Sequence, residues 1–170
     1  NHVKNVLKFQ FLGNDKEDAE MKAAVQAFLS ANKETPIDFA RILPVPDGID
    51  HPDPHILSDA GCRWRVDHWG TKWEASIIDW ERTGEKEIYV SFDSAWSPPV
   101  TLYEFMLEQG YDVEAMYWES GMAFCGRFAD GYDDFYEYDI SDRESLEQLP
   151  DELLDFTDLI GRHEDWLAEE

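Results

Sequence analysis

The sequence predicts an α+β fold: an antiparallel sheet backed by helices, with extra strands after the main unit and an acidic helical tail. Three observations carry that prediction. Runs of period-two alternation recur along the chain, two helical-period runs each follow a strand-like run, and the acidic residues concentrate toward the C-terminal end.

The first strand is read from Val3 to Phe11, where Val3, Leu7, Phe9 and Phe11 point one way and Lys4, Lys8 and Gln10 the other. Gly13-Asn14-Asp15 reads as a turn, and Ala19, Met21, Ala24, Val25, Phe28 and Leu29 then give residues 16–31 one apolar helical face. Residues 37–45 read as a short extended stretch stopped by Pro44 and Pro46. The loop composition of 46–57 contains His51 and His55, but Pro52 and Pro54 oppose the helix that would bring them to one metal, so both read as solvated. A short helix is expected from Ser58 to about His68, with Trp64 on its buried side.

Residues 73–82 and 87–96 read as a hairpin about Thr83-Gly84-Glu85-Lys86, with Ile88, Val90, Phe92 and Trp96 facing inward. Pro98-Pro99 opens a helix that runs to Gly110. Strands follow at 111–119, 122–129 and 132–139, joined at Ser120-Gly121 and Asp130-Gly131. From Ser141 the chain reads as acidic and helical, packed through residues such as Leu146, Leu153 and Leu159. Without the 37–72 insertion the order is β-α-β-β-α-β, a ferredoxin-like split βαβ topology within one domain spanning 1–170. That term describes shape, since two cysteines cannot hold an iron–sulfur cluster.

Formal net charge is −24 over 170 residues. Residues 1–72 carry 9 Lys+Arg against 11 Asp+Glu, whereas residues 73–170 carry 5 against 27. A field of that sign repels phosphate backbones and attracts basic partners, so direct nucleic-acid binding is not expected. No apolar run is long enough to span a bilayer. Cys62 and Cys125 match no zinc spacing, and without a signal peptide they read as free thiols of a cytoplasmic protein. Asn1 is not read as a native start residue. No metal or cofactor motif is present, and neither is a phosphate loop, a nucleophile elbow or a dinucleotide fingerprint. The acids of Tyr132–Asp139 lack the calcium-loop pattern and read as a solvated edge strand.

Candidate site residues gather where His68-Trp69-Gly70-Thr71-Lys72-Trp73 meets Phe92-Asp93-Ser94-Ala95-Trp96-Ser97-Pro98-Pro99, with His2 and Asn5 alongside. Two readings stay open. As a site, Trp69, Trp73 and Trp96 wall a pocket in which Lys72 and Asp93, with His68, do acid–base or anion-handling chemistry. As scaffold, the tryptophans are core and Lys72 pairs with Asp93. No residue is assigned as catalytic, and a non-enzymatic role is expected.

Asn1-His2-Val3-x-Asn5, Ile42-Leu43-Pro44-Val45-Pro46, His68-Trp-Gly-Thr-Lys-Trp73 and Phe92-Asp-Ser-Ala-Trp-Ser-Pro-Pro99, in that order, resemble the YubB-like proteins of plasmids and phages. The resemblance covers roughly residues 1–140 and leaves out the acidic C-terminal stretch. It implies a ferredoxin-like domain and a mobile-element setting, without a reaction. The function expected is therefore an acidic interaction module that engages a basic host protein, in its sharpest form a DNA mimic. The alternative is a small enzyme or ligand sensor built on the tryptophan pocket.

Overall fold

A computed structural model describes residues 2–11, 39–53, 55–84 and 87–170. The helix expected over 16–31, and the turn before it, lie outside the described residues. Among the described residues six strands form one antiparallel sheet: β1 His2–Phe11, β2 Ser76–Arg82, β3 Glu87–Ala95, β4 Tyr111–Glu119, β5 Phe124–Ala129 and β6 Tyr132–Glu137. Their order across the sheet is β2-β3-β1-β4-β5-β6. The helices are α1 Phe39–Ile42, α2 Asp59–His68, α3 Val100–Glu108, α4 Arg143–Glu147, α5 Asp151–Thr157 and α6 Leu159–Glu169. The chain is thus a mixed α+β protein.

β1 is central, pairing Leu7 with Val90 of β3 and with Ala115 of β4. Because side chains alternate along a strand, this register sorts residues into two faces. Leu7, Phe9, Ile88, Val90, Phe92, Val113, Ala115 and Phe128 line the front face, where Phe39, Trp69 and the α3 residues Leu102, Tyr103 and Met106 close over them. On the back face Trp118 and Cys125 pack under Leu146, Leu149, Leu153 and Leu159. The acidic tail is therefore three short helices clamped to the back of β4 and β5 by leucines.

Local chemistry accounts for most boundaries. Ser58 caps α2 by accepting the Gly61 N–H at 2.9 Å, and Asp142 caps α4 through the Ser145 N–H. Asp130 and Gly131 both take positive φ, which suits a tight hairpin. The sequence is corrected in four places. Residues 39–42 are a helical turn, not an extended stretch, because Glu74 accepts the Phe39 and Ala40 N–H groups at 2.7 and 3.2 Å and so caps α1 from a distant segment. β2 begins at Ser76, not Trp73, since residues 71–73 bend across the sheet end. A register shift between Ile77 and Asp79 marks a bulge, and Ile78 there is left exposed. The expected two-residue turn at Ser120-Gly121 is a four-residue connection, 120–123, closed by Glu119 accepting the Gly121 and Met122 N–H groups.

Gly126 sits where β5 crosses the Tyr117 ring; a Cβ there would overlap the end of that ring and lie 2.6 Å from the Asp134 carbonyl. Gly126→Ala should lower the urea midpoint with an unchanged m-value, a loss of about 1–3 kcal/mol from overpacking.

Candidate functional site

The segment after α2 is tied to the end of β3 by a set of short-range bonds. Gly70 takes φ +86°, and a Cβ would lie 3.2 Å from Pro98 O, Val100 N and Thr101 N, so glycine alone fits the close crossing. Thr71, fully buried, donates its hydroxyl to Ala95 O at 2.8 Å and accepts the Ala95 N–H at 3.1 Å. Ser97 donates to Gly70 O, Ser94 donates to Ser97 O at 2.8 Å, and Leu102 N–H reaches Trp69 O at 3.2 Å. Asn5, buried on β1, donates to Ser94 Oγ and Val3 O at 2.9 Å each. These bonds satisfy backbone groups that the irregular chain would otherwise leave unpaired.

The sequence-predicted site residues are brought near one another in part. Trp69 is buried among Phe39 and Trp64, its indole N–H donating to Leu43 O at 2.9 Å. Trp73 is 37% exposed and Trp96 51%, so neither is core. Trp96 was expected inward, but its φ of +68° breaks the strand alternation and turns the ring outward. Lys72 makes no ion pair with Asp93; its ammonium lies 4.7 Å from the Trp96 ring centroid instead. Asp93 projects to the back face opposite Lys4, with one carboxylate oxygen buried and without a hydrogen-bond partner. His68 stacks on Trp64 at 4.4 Å and donates through Nδ1 to Trp64 O, while His2 lies exposed at the start of β1.

A cleft of about 420 Å³ does lie beside Trp69 and Trp73, but its charged groups are Arg65, Asp50 and Glu74; Lys72, Asp93 and Trp96 do not line it. Arg65 pairs with Asp50 and lies 5.6 Å from the Trp69 ring centroid, with its Nη1 buried and unpartnered. Sequence reasoning missed Arg65, although its place one turn after Gly61 on α2, next to Trp64, was visible. Among the described residues no group of three or more His, Cys, Asp or Glu is placed to hold a metal ion. His51 and His55 are exposed loop residues. None of the described helices is long and apolar enough to cross a membrane.

Burial sets the protonation of several further groups, among them Cys125, Asp133 and Tyr117. Burial pushes the Cys125 thiol up to about 11. Asp133 is exposed as a residue, but desolvation of its carboxylate against Tyr117 raises its pKa, opposed by the hydrogen bond it accepts from Tyr117 at 2.6 Å; burial raises Tyr117 strongly. A thiol with its pKa raised in the fold stays protonated at neutral pH, in keeping with a buried packing role for Cys125.

No family model matches the sequence. No curated protein matches it either. Among solved structures, the chain is similar to the crystal structure of protein api92 from Yersinia pseudotuberculosis, of the family DUF1281. The two share 20% identity with a TM-score of 0.42, over 60% of this chain and 39% of that one. The match thus spans well under half the length of the neighbour.

Two outcomes separate scaffold from site at this joint. Thr71→Val should cost about 1–3 kcal/mol, because it strands the Ala95 amide and carbonyl in a buried place. Lys72→Met should move stability by about 1 kcal/mol or less, since it removes one cation–π contact with an exposed ring. Thermal or urea denaturation reads both. At pH 8 a thiol reagent should label the half-buried Cys62 and spare Cys125 until denaturant is added. In the alkaline range the folded Cys125 pKa lies above its ordinary 9.0, so the stability this group confers is complete below that value and falls as pH rises from 9.0 toward about 11. Urea midpoints across that range should fall less steeply for Cys125→Ala.

Proposed function

We propose that the chain is a non-enzymatic interaction module whose acidic C-terminal half engages a basic protein of a host cytoplasm. One observation carries the reading: all sixteen acids of residues 130–170 are exposed, against Arg143 and Arg162 as the only cations of that stretch. Half of them lie on helices fixed to the sheet by Trp118, Cys125 and the tail leucines, and Asp133, Asp134 and Glu137 lie on β6, so their spacing is set by the fold. Neutralisation is slight. Arg143 bridges Glu147 and Glu164 at 2.8 and 3.2 Å, and Arg127 reaches Glu152 at 3.1 Å. A rigid single-sign surface of this kind suits a phosphate-binding groove, which makes a DNA mimic the sharpest form of the reading.

The first four strands are best read as a ferredoxin-like split βαβ unit, in line with the β2-β3-β1-β4 order and the α3 crossover that separates β3 from β4. The YubB-like resemblance adds a plasmid or phage setting to this proposal. A second reading, a small enzyme or ligand sensor, is favoured by the cleft beside Trp69 and Trp73, with Arg65 and Asp50 in the place foreseen for Lys72 and Asp93.

The test starts from partners captured in host lysate at low salt and continues with the purified pair. Binding should weaken by a factor of ten or more from about 50 to 200 mM salt, as screening shortens to about 8 Å at physiological strength. The triple variant Asp151→Lys, Asp155→Lys, Asp165→Lys should lose most of it, and duplex DNA should compete. Salt-insensitive binding, or full binding by the charge-reversed variant, would remove the acidic surface as the driver.

A further inference from the structure

The tail that presents the acids also holds an arginine that no acid neutralises. Arg162, on α6, donates its Nε–H to Thr157 O at 3.0 Å, and its guanidinium carbon lies 4.4 Å from the centroid of the Trp118 ring. Those two contacts fix the plane of the guanidinium. Its terminal nitrogens have no hydrogen-bond or ion-pair partner among the described residues, in contrast to Arg143 and Arg127. Arg162 is exposed, so its guanidinium faces solvent, and the acids nearest to it are engaged elsewhere. Asp139 is committed to the Ser141 N–H and hydroxyl at 2.9 and 2.7 Å. Glu119 is committed to the Gly121 and Met122 amides. Both nearby carboxylates are thus engaged with their own turns, although Asp139 still lines the space beside Arg162.

A hollow of about 520 Å³ opens at this point, lined by Trp118, Tyr138, Ile140, Leu159 and Arg162 among others. Tyr138 accepts the Trp118 indole N–H at 2.7 Å, which leaves its own hydroxyl proton free to donate. Burial holds the Tyr138 pKa above its ordinary value, so that proton stays in place at neutral pH. The hollow therefore offers a charged fork, a hydroxyl donor and an apolar wall.

We propose that the Arg162–Tyr138 hollow binds the carboxylate of a small monoanion with an apolar body. The planar fork matches a carboxylate in two parallel hydrogen bonds, while Trp118, Ile140 and Leu159 take up the apolar part. The surrounding field selects against phosphate and other multiply charged anions, because each added negative charge meets the exposed acids of the tail. This site is independent of the interaction surface of the preceding section, and loss of either reading leaves the other intact.

Titration with sodium benzoate, followed on the Arg162 Nε–H and Trp118 indole N–H resonances of the ¹⁵N-labelled chain, tests the proposal. A saturable shift of both is expected, with no saturable response to the neutral isostere benzamide. Inorganic phosphate should bind more weakly than benzoate. Read on the Trp118 indole N–H, Arg162→Gln should abolish the response, and Tyr138→Phe should weaken it several-fold. Tyr138→Phe also lowers the melting temperature, because it leaves the Trp118 indole N–H without its acceptor, so it is compared below its own transition. Should Arg162→Gln fail to fold, Arg162→Lys keeps the charge without the fork and should bind on the order of tenfold more weakly. Absence of a saturable shift, an equal response to benzamide, tighter binding of phosphate, or undiminished binding by the Arg162 variants would each overturn it.

Discussion

Everything in this fold depends on β1 being hydrogen-bonded along both of its edges. Its odd residues build the front core through Leu7 and Phe9, and its even residues, Lys4 and Val6, face the back. A slip of one residue would exchange the two sets and place lysines in the core. Asn5 is the polar exception on the front face. Its amide donates to Val3 O and Ser94 Oγ, so the start of β1 and the end of β3 are matched by hydrogen bonding as well as by apolar pattern.

The two faces of the sheet have different work. The front is closed by α1, α2 and α3 and holds most of the large buried side chains. The back is covered over β4 and β5 by helices whose outer surface is almost wholly anionic. The bonds at Gly70, Thr71 and Ala95 belong to the front and explain its unusual local sequence as geometry: a crossing too close for a side chain, a buried hydroxyl, and a strand end turned by Trp96. The motif is accordingly a joint. What chemistry the described residues offer lies to either side of it, at Arg65 and at Arg162.

The strands were legible because alternation and Gly-containing turns are local signals, and they placed β1, β3, β4 and β6 within a few residues. The helical turn at Phe39–Ile42 was not, because Glu74, far along the chain, supplies its cap. Trp96 was misjudged for a related reason. Alternation assumes an unbroken strand, and a single positive φ ends it. The pairing of Lys72 with Asp93 failed with it, since Asp93 projects to the back face while Lys72 follows the displaced Trp96 ring. Charge partners are set by where side chains end up in three dimensions, which neither composition nor spacing encodes. The same limit hid Arg162: from the sequence it is one of two arginines in a helical tail, and only packing reveals that one is paired and the other is not.

The strand order also sets a timetable for synthesis. β1 finds one partner in β3, which ends at Ala95, and the other in β4, which ends at Glu119. A chain still emerging from the ribosome therefore carries its central strand with one edge bare until Glu119 has been made. The β2-β3 hairpin and the β4-β5-β6 meander rest on near neighbours, whereas both pairings of β1 are distant. The apolar front-face residues of β1 must wait in the meantime, exposed to other chains. A chain that stops before β4 keeps β1 paired to β3 alone, with its other edge open.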